Sequence, residues 1–298
     1  MPYSYFRKFI GTSKYFIIKG SKLFIILMVN KMSDIIQIIK AEIIKCHKIS
    51  FGEKKNYFTI LIWPILLFFT AYYSYKPLSF DSEQWSIFTS NESIIMFLII
   101  GYLTYNCFFS LVRNALFMRQ EREEGVLEII FLSPAKRLAL MYGRSLGALI
   151  QNVWMFCIFA IFIIIFIGGL EMKTFIYFPI VFLLICVSAS IWGGLLNTIF
   201  LFSRDTTIVF YLLDEPMLLF SGVKIPVSIF PTWAKVISSF FPITYVLYIA
   251  RGLLMNTLVA KTTYLILLLI LCFIMFITVK LLRIAENCYR ENGNINFY

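Results

Sequence analysis

Three glutamates lie in a charged segment, Arg119 to Arg144, that separates two hydrophobic blocks. Read as a helix, this segment places Glu121, Glu124 and Glu128 along one side and apolar residues along another. Glu124 and Glu128 are like charges four residues apart, which costs roughly 0.2 to 0.5 kcal/mol in an isolated helix, and no Lys or Arg follows four residues on. We therefore predict a helix face that binds a cationic partner; the alternative is a solvated loop helix.

A second pair of acids, Asp214 and Glu215, lies inside an apolar stretch and precedes Pro216. With ~1.5 Å of rise per residue from Arg204, Asp214 lies ~15 Å deep, near the middle of a ~30 Å hydrocarbon core. Acids at this depth usually face a bundle interior or a wet cavity. One hypothesis is that Asp214 or Glu215 lines a transport route for a cation, a proton or a polar substrate group. The alternative is a protonated or hydrogen-bonded acid beside a proline kink.

The sequence offers no pattern typical of a metal or nucleophile site. The six cysteines are scattered without a CxxC pair, and His47 is the only histidine. We interpret the cysteines as apolar fillers or reduced thiols and predict no metal, no bound cofactor and no catalytic residues in this chain. The sequence contains no GxxxxGK[ST] phosphate loop, so we do not expect it to hydrolyse ATP.

The composition predicts an all-α integral membrane protein. Of the 298 residues, 60% are hydrophobic and only 14% are charged, which excludes an ordinary soluble domain. The net charge of +11 comes from basic residues concentrated in particular loops, so it indicates membrane orientation and not nucleic-acid binding.

Six transmembrane helices are predicted in a membrane domain at 57–298. Residues 1–32 are read as a basic cytosolic or interfacial extension, within which Met28 or Met32 could be the true start, and 33–56 as an amphipathic connecting helix. No secretory signal is recognisable in the first residues. The six spans are placed at about 57–75, 94–116, 145–168, 175–201, 206–221 and 264–282.

The basic residues orient these spans. With the N-terminus in the cytosol, 21 of the 27 Lys and Arg residues lie on the inner side. Both termini and the charged segment are then predicted to be cytosolic.

Small residues recur where spans could touch. Gly143 and Gly147 precede or open the third span, and the fourth carries a set at short spacings, Ala189, Ser190, Gly193, Gly194 and Asn197. We interpret these as close helix packing, with Asn197 donating a hydrogen bond across the contact.

Between Gly222 and Asn256, prolines interrupt an apolar stretch that is too short to span. We expect short helices that dip into the outer leaflet and return, with aromatic side chains at the interface. The residues assigned to this re-entrant outer region are Pro226, Pro231, Trp233, Pro242, Tyr245 and Arg251.

Two groups of residues carry a family resemblance. The first is Glu124-Gly125-Val126-Leu127-Glu128 followed by Ser133-Pro134, Arg137 and Gly143. The second is Pro216, Ser221-Gly222, Pro226, Phe230-Pro231-x-Trp233, Pro242-x-Thr244-Tyr245 and Arg251. Their order and spacing resemble the type-2 permeases of ATP-binding-cassette (ABC) transporters, which include drug-resistance and polysaccharide exporters. Val126 replaces the usual Thr of the first motif.

The resemblance implies a transport subunit whose ATP and Mg are held by a separate ATPase. It implies two ATPase copies and a second permease copy, as a homodimer or related heterodimer. The many Ile, Phe, Lys and Asn residues suggest a bacterial coding sequence, so we expect the plasma membrane of a bacterium. The matching segment is the family's cytosolic coupling helix, between spans 2 and 3, and the helix at 33–56 lies near it. The short helices from Pro231 to Asn256 would gate the outer exit. The residues assigned to ATPase coupling are Glu121, Glu124, Gly125, Leu127, Glu128, Ser133, Pro134 and Arg137.

The substrate is expected to be a drug, an antimicrobial peptide or another amphipathic molecule, since the spans are rich in Phe and the family contains such exporters. Export of a lipid-linked glycan by the same mechanism is the alternative. An ion-coupled transporter or a multispan membrane enzyme is a third class, for which Asp214 and Glu215 are the candidate pair.

Overall fold

The computed structural model describes residues 20–51, 54–75, 91–117, 121, 124, 136–167, 172–203, 205–255 and 257–292. Every regular element among them is helical, which agrees with the predicted all-α class. The chain divides into two compact units, 1–37 and 38–298. All contacts described below lie within the second unit.

Ten α-helices make up the described chain. In order they are α1 Gly20–Phe51, α2 Lys54–Tyr75, α3 Asn91–Arg113, α4 Arg137–Ser145, α5 Leu149–Ile167, α6 Met172–Phe200, α7 Thr206–Phe220, α8 Thr232–Phe240, α9 Pro242–Leu254 and α10 Lys261–Asn292. Short 3-10 turns follow α3 at Asn114–Leu116, join α4 to α5 at Leu146–Ala148 and precede α8 at Val227–Ile229. Residues 33–51 of the expected connecting helix at 33–56 belong to α1, which begins earlier, at Gly20, whereas residues 54–56 belong to α2.

Helix α6 is the centre of the packing, and α3, α4, α9 and α10 all contact it. Its small residues make this possible: a Cβ on Gly193 would lie 2.6 Å from Oγ of Ser145, and one on Gly194 would meet the Tyr142 ring. Asn197, fully buried, donates to the carbonyl of Met141 and to Oγ of Ser145, both at 3.2 Å. The prediction that these residues serve close helix packing is confirmed.

Four helical stretches are long and apolar enough to cross a membrane: Ser93–Leu116, Arg137–Ile161, Ile176–Phe200 and Lys261–Asn287. A fifth is possible if α8 and α9, which meet at 93°, count as one broken span. Helix α7 has 15 residues, fewer than the ~20 that cross a hydrocarbon core, and the apolar stretch Ile65–Tyr75 of α2 is also short. The chain is therefore a multipass membrane protein, and the six-span layout stays a prediction.

Helix α7 begins at Asp205, whose carboxylate accepts hydrogen bonds from the backbone N–H groups of Thr207 at 3.0 Å and Ile208 at 3.3 Å. Such an N-cap satisfies donors that the first helical turn leaves open. After α7 the chain turns at Gly222, where φ is +88°, a conformation that side chains disfavour. This turn brings the following loop back toward α3.

Replacing Gly147 by Ala is expected to lower the free energy of unfolding by about 1 to 3 kcal/mol, the usual cost of overpacking. The added Cβ would lie 2.6 Å from Cβ of Cys46 in α1 and 2.8 Å from Nδ2 of Asn114. Gly143→Ala is the matched control, because its nearest neighbour, Cα of Ile39, is 3.1 Å away. Unfolding in an SDS titration measures both variants, and an equal or larger loss for Gly143→Ala would contradict this packing.

Candidate functional site

Four charged side chains form a compact cluster around Glu121, near the start of the charged segment. Nζ of Lys45 lies 2.7 Å from a carboxylate oxygen of Glu42 and 2.8 Å from one of Glu121. The guanidinium of Arg144 binds the other oxygen of Glu121. We call Glu42, Lys45, Glu121 and Arg144 the charge cluster. The carboxylate of Glu121 connects Lys45 of α1 with Arg144 of α4.

Burial gives this cluster its energetic weight. Arg144 is 1% exposed and Glu121 9%, so neither charge could remain there without a partner. Burial lowers the pKa of Lys45, but the carboxylates of Glu42 and Glu121 together raise it by more, so its pKa lies above the usual value and Lys45 is charged at neutral pH. The two positive and two negative charges balance, which suits a cluster in which Glu42, Glu121 and Arg144 are buried and Lys45 is partly exposed.

Cys46 lies beside the charge cluster on α1 and is buried. Burial is the main reason that its pKa rises to about 11, with Glu42 contributing in the same direction. A thiol with this pKa is protonated at neutral pH and therefore a poor nucleophile. This agrees with the interpretation of the cysteines as packing residues.

The predicted coupling residues have different environments in the structure. Glu121 is buried and forms ion pairs within the chain, whereas Glu124 is exposed. Arg137, at the start of α4, forms an ion pair of 2.8 Å with Glu286 of α10. The remaining five lie outside the described residues: Gly125, Leu127, Glu128, Ser133 and Pro134. Coupling to an ATPase stays a prediction for all eight.

The two acids of α7 face in different directions. Asp214 is buried and accepts hydrogen bonds from the Tyr105 hydroxyl, at 3.2 Å and 3.3 Å to its two oxygens. Glu215 is exposed. The Tyr105 ring stacks on the Phe109 ring, with ring centroids 5.7 Å apart, so the carboxylate of Asp214 is bonded to one of two stacked aromatic residues. Asp214 is thus bonded to a neighbouring helix, and which acid borders a transport route stays a prediction.

The prolines of the predicted re-entrant region mark the ends of short elements. Pro226 precedes the 3-10 turn, Pro231 precedes α8, and Pro242 is the first residue of α9, a position where Pro costs no helical hydrogen bond. Trp233 is 61% exposed, and its ring meets Phe220 edge to face. The Tyr245 hydroxyl donates to the carbonyl of Ser239 at 3.2 Å.

Arg251 on α9 has the densest polar contacts of this region. Its guanidinium donates to the backbone carbonyls of Gly222 at 2.8 Å, Val223 at 3.0 Å and Phe97 at 3.2 Å. These bonds connect α9, the loop after α7 and α3. The re-entrant character of this region stays a prediction.

Sequence reasoning missed the partners of its own candidates: Lys45 and Arg144 for Glu121, and Tyr105 for Asp214. A basic residue within an apolar block, such as Arg144, was the available signal, since a charge there needs a partner. In the described part of the chain no three His, Cys, Asp or Glu residues converge in a way that could hold a metal ion.

The comparison with protein families places the chain in a transporter family. The family described as ABC-2 type transporter matches residues 34–255, most of the chain. The match includes the charge cluster, the acids of α7 and Arg251, and it confirms the resemblance drawn from the motifs. No curated protein matches the chain significantly.

Proposed function

We propose an export function from the premise that this chain belongs to the ABC-2 type transporter family and is a membrane permease subunit of an ABC transporter. In this family, ATPase activity lies in a separate subunit. Our proposal is that the chain moves a drug, an antimicrobial peptide or another amphipathic molecule outward across a bacterial cytoplasmic membrane. The 32 Phe residues and the 60% hydrophobic composition suit a route for amphipathic cargo.

The observation that carries the proposal is the charge cluster. The segment that resembles the coupling helix begins at Glu121, and that carboxylate is bound to Lys45 of α1 and Arg144 of α4. A force applied to the segment therefore reaches both helices through short ion pairs. Helix α4 packs directly on the central helix α6, so the force has a contiguous path into the helix bundle.

In the proposed mechanism two permease copies associate with two ATPase copies, and both permease termini lie in the cytosol. ATP binding closes the ATPase pair, and each ATPase moves the segment that contains the exposed Glu124. The charge cluster passes this movement to α1 and α4. The permease pair then shifts between inward-facing and outward-facing populations.

Reversing Glu124 and Glu128 to Lys is expected to remove the ATPase from the complex. An exposed carboxylate that meets a basic groove becomes repulsive on reversal, and like charges at an interface cost several kcal/mol, on the order of a hundredfold or more in affinity. A pull-down of the permease from its native membrane in mild detergent, followed by mass spectrometry, measures the ATPase that stays bound.

The matched control reverses two exposed charges elsewhere, Lys235 of α8 and Lys261 of α10, to Glu. This variant should keep the ATPase at the unmodified level. Recovery of no Walker-motif ATPase with the unmodified permease would overturn the proposed function. Equal ATPase recovery with both reversed variants would remove the coupling role from Glu124 and Glu128.

A further inference from the structure

Arg251 makes a set of contacts that neither a lysine nor a glutamine at the same position could reproduce. Its two terminal nitrogens reach three backbone carbonyls, those of Gly222, Val223 and Phe97, at 2.8 to 3.2 Å. Its guanidinium also lies over the Phe97 ring, 3.4 Å from the centroid. We call these residues the arginine clasp. A planar guanidinium serves such a site better than a lysine ammonium, because its fixed fork of donors also stacks on aromatic faces.

The backbone around the clasp is shaped to admit the guanidinium. A Cβ on Gly101 of α3 would lie 2.6 Å from Nη2 of Arg251 and 2.7 Å from the carbonyl oxygen of Val223. Gly222 has φ +88°, which directs the turn so that two successive carbonyls face Arg251. Both glycines are therefore part of the geometry, one through close approach and one through its backbone conformation.

Backbone carbonyls and the Phe97 ring hold the Arg251 guanidinium. No acidic side chain among the described residues forms an ion pair with Arg251. Its bonds all reach backbone atoms of other elements, so they fix relative position. A second tie acts on the same loop: the Tyr75 hydroxyl of α2 donates to the carbonyl of Lys224 at 2.7 Å. The loop at 221–225 is thus held from α2 and from α9.

We infer that Arg251 is a positioning residue that makes α3, the loop at 221–225 and α9 move together. This inference rests on the proposed function and deepens it. Helix α3 is clasped at Phe97 and Gly101, and the central helix α6 contacts α3 and α9 as well as α4. Movement that enters at Glu121 and passes to α4 through Arg144 therefore reaches α9 by way of α6, and through Pro242 it reaches α8, the other half of the bent pair.

Apolar packing will keep α9 in place when the clasp is removed. Val246, Leu247, Ile249 and Ala250 are buried, and α9 contacts α3, α6 and α10. Arg251→Gln should consequently insert and fold, while the loop loses its charged hydrogen bonds to α9. The effect of the clasp is therefore separable from the effect of a missing helix.

The test compares transport per ATP hydrolysed in proteoliposomes of the complete transporter, with rhodamine 6G as the probe. Arg251→Gln should lower this ratio about tenfold or more, the factor expected for losing hydrogen bonds to a charged group, while ATPase binding in the pull-down is unchanged. Gly101→Ala should lower it in the same direction, because its Cβ displaces the guanidinium. Lys235→Gln on exposed α8 is the control and should leave the ratio unchanged.

A distance measurement separates positioning from general stability. Spin labels are placed at V236C in α8 and L265C in α10, in a background with the native cysteines replaced by Ser. Electron–electron double resonance then measures the distance between α8 of the bent pair and α10. We expect a broader distance distribution in Arg251→Gln and a partly restored one in Arg251→Lys. An unchanged ratio and distribution in both Arg251→Gln and Gly101→Ala would overturn the inference, whereas loss of the ATPase from the unmodified complex would overturn the proposed function instead.

Discussion

Replacing Glu121 by Gln should lower the free energy of unfolding by about 3 to 5 kcal/mol, the cost of breaking a buried ion pair from one side. The substitution removes the carboxylate that meets both Arg144 and Lys45. Arg144 is 1% exposed, so water cannot replace the lost charge without local opening. An SDS titration of the purified permease in detergent measures the change.

The Arg137–Glu286 ion pair provides the matched control. It has the same charges and a length of 2.8 Å, but its side chains are 23% and 28% exposed. Glu286→Gln should therefore cost only about 0 to 1 kcal/mol, as partly hydrated pairs do. Equal losses for Glu121→Gln and Glu286→Gln would show that burial of the charge cluster adds nothing to stability.

A double variant separates stability from coupling. Replacing Glu121 by Leu together with Arg144 by Met exchanges the buried charges for apolar groups, and such exchanges are often neutral or stabilising by about 1 to 4 kcal/mol. This variant should recover stability and yet transport poorly, because it has lost the ion pairs that connect the segment to α1 and α4. Full transport in a stable double variant would assign the charge cluster a structural role only.

Features encoded locally could be predicted from the sequence. Apolar composition predicted helices and membrane insertion, and the four-residue spacing of Gly193 and Asn197 predicted the close contact that α6 makes with α4. Prolines predicted the breaks before α8 and at the start of α9. Each of these follows from a residue and its immediate neighbours, which is why no tertiary information was needed.

The charge cluster could not be predicted in this way. Glu121 meets Lys45 across 76 positions and Arg144 across 23, so the local pattern showed only unrelieved glutamates.

Hydropathy predicted a fifth span at 206–221, but Asp205 caps a helix that ends after 15 residues. Helix α1 begins at Gly20, upstream of the expected boundary at Ser33, because amphipathic spacing identifies a helix face and does not mark where the helix begins.

The two acids of α7 have different environments in the structure. The sequence placed Asp214 and Glu215 together as candidates for the transport route. Asp214 turns inward to the Tyr105 hydroxyl, while Glu215 is exposed on the side that also exposes Leu212 and Leu219, at 70% and 58%. No basic side chain among the described residues pairs with Glu215. An acid is costly against hydrocarbon, so this side of α7 is better suited to water, cargo or a second permease.

We therefore expect Glu215→Gln to slow rhodamine 6G transport about tenfold or more, since a hydrogen bond or ion pair to a charged group contributes roughly that factor. Asp214→Asn should slow it much less, because Asn keeps an oxygen that accepts from Tyr105. Initial transport rates in proteoliposomes, normalised to the amount of folded protein, measure both variants. If the two effects are reversed, the buried acid borders the route and α7 must rotate during transport. If neither variant slows transport, the pair has a structural role and the route lies along other helices.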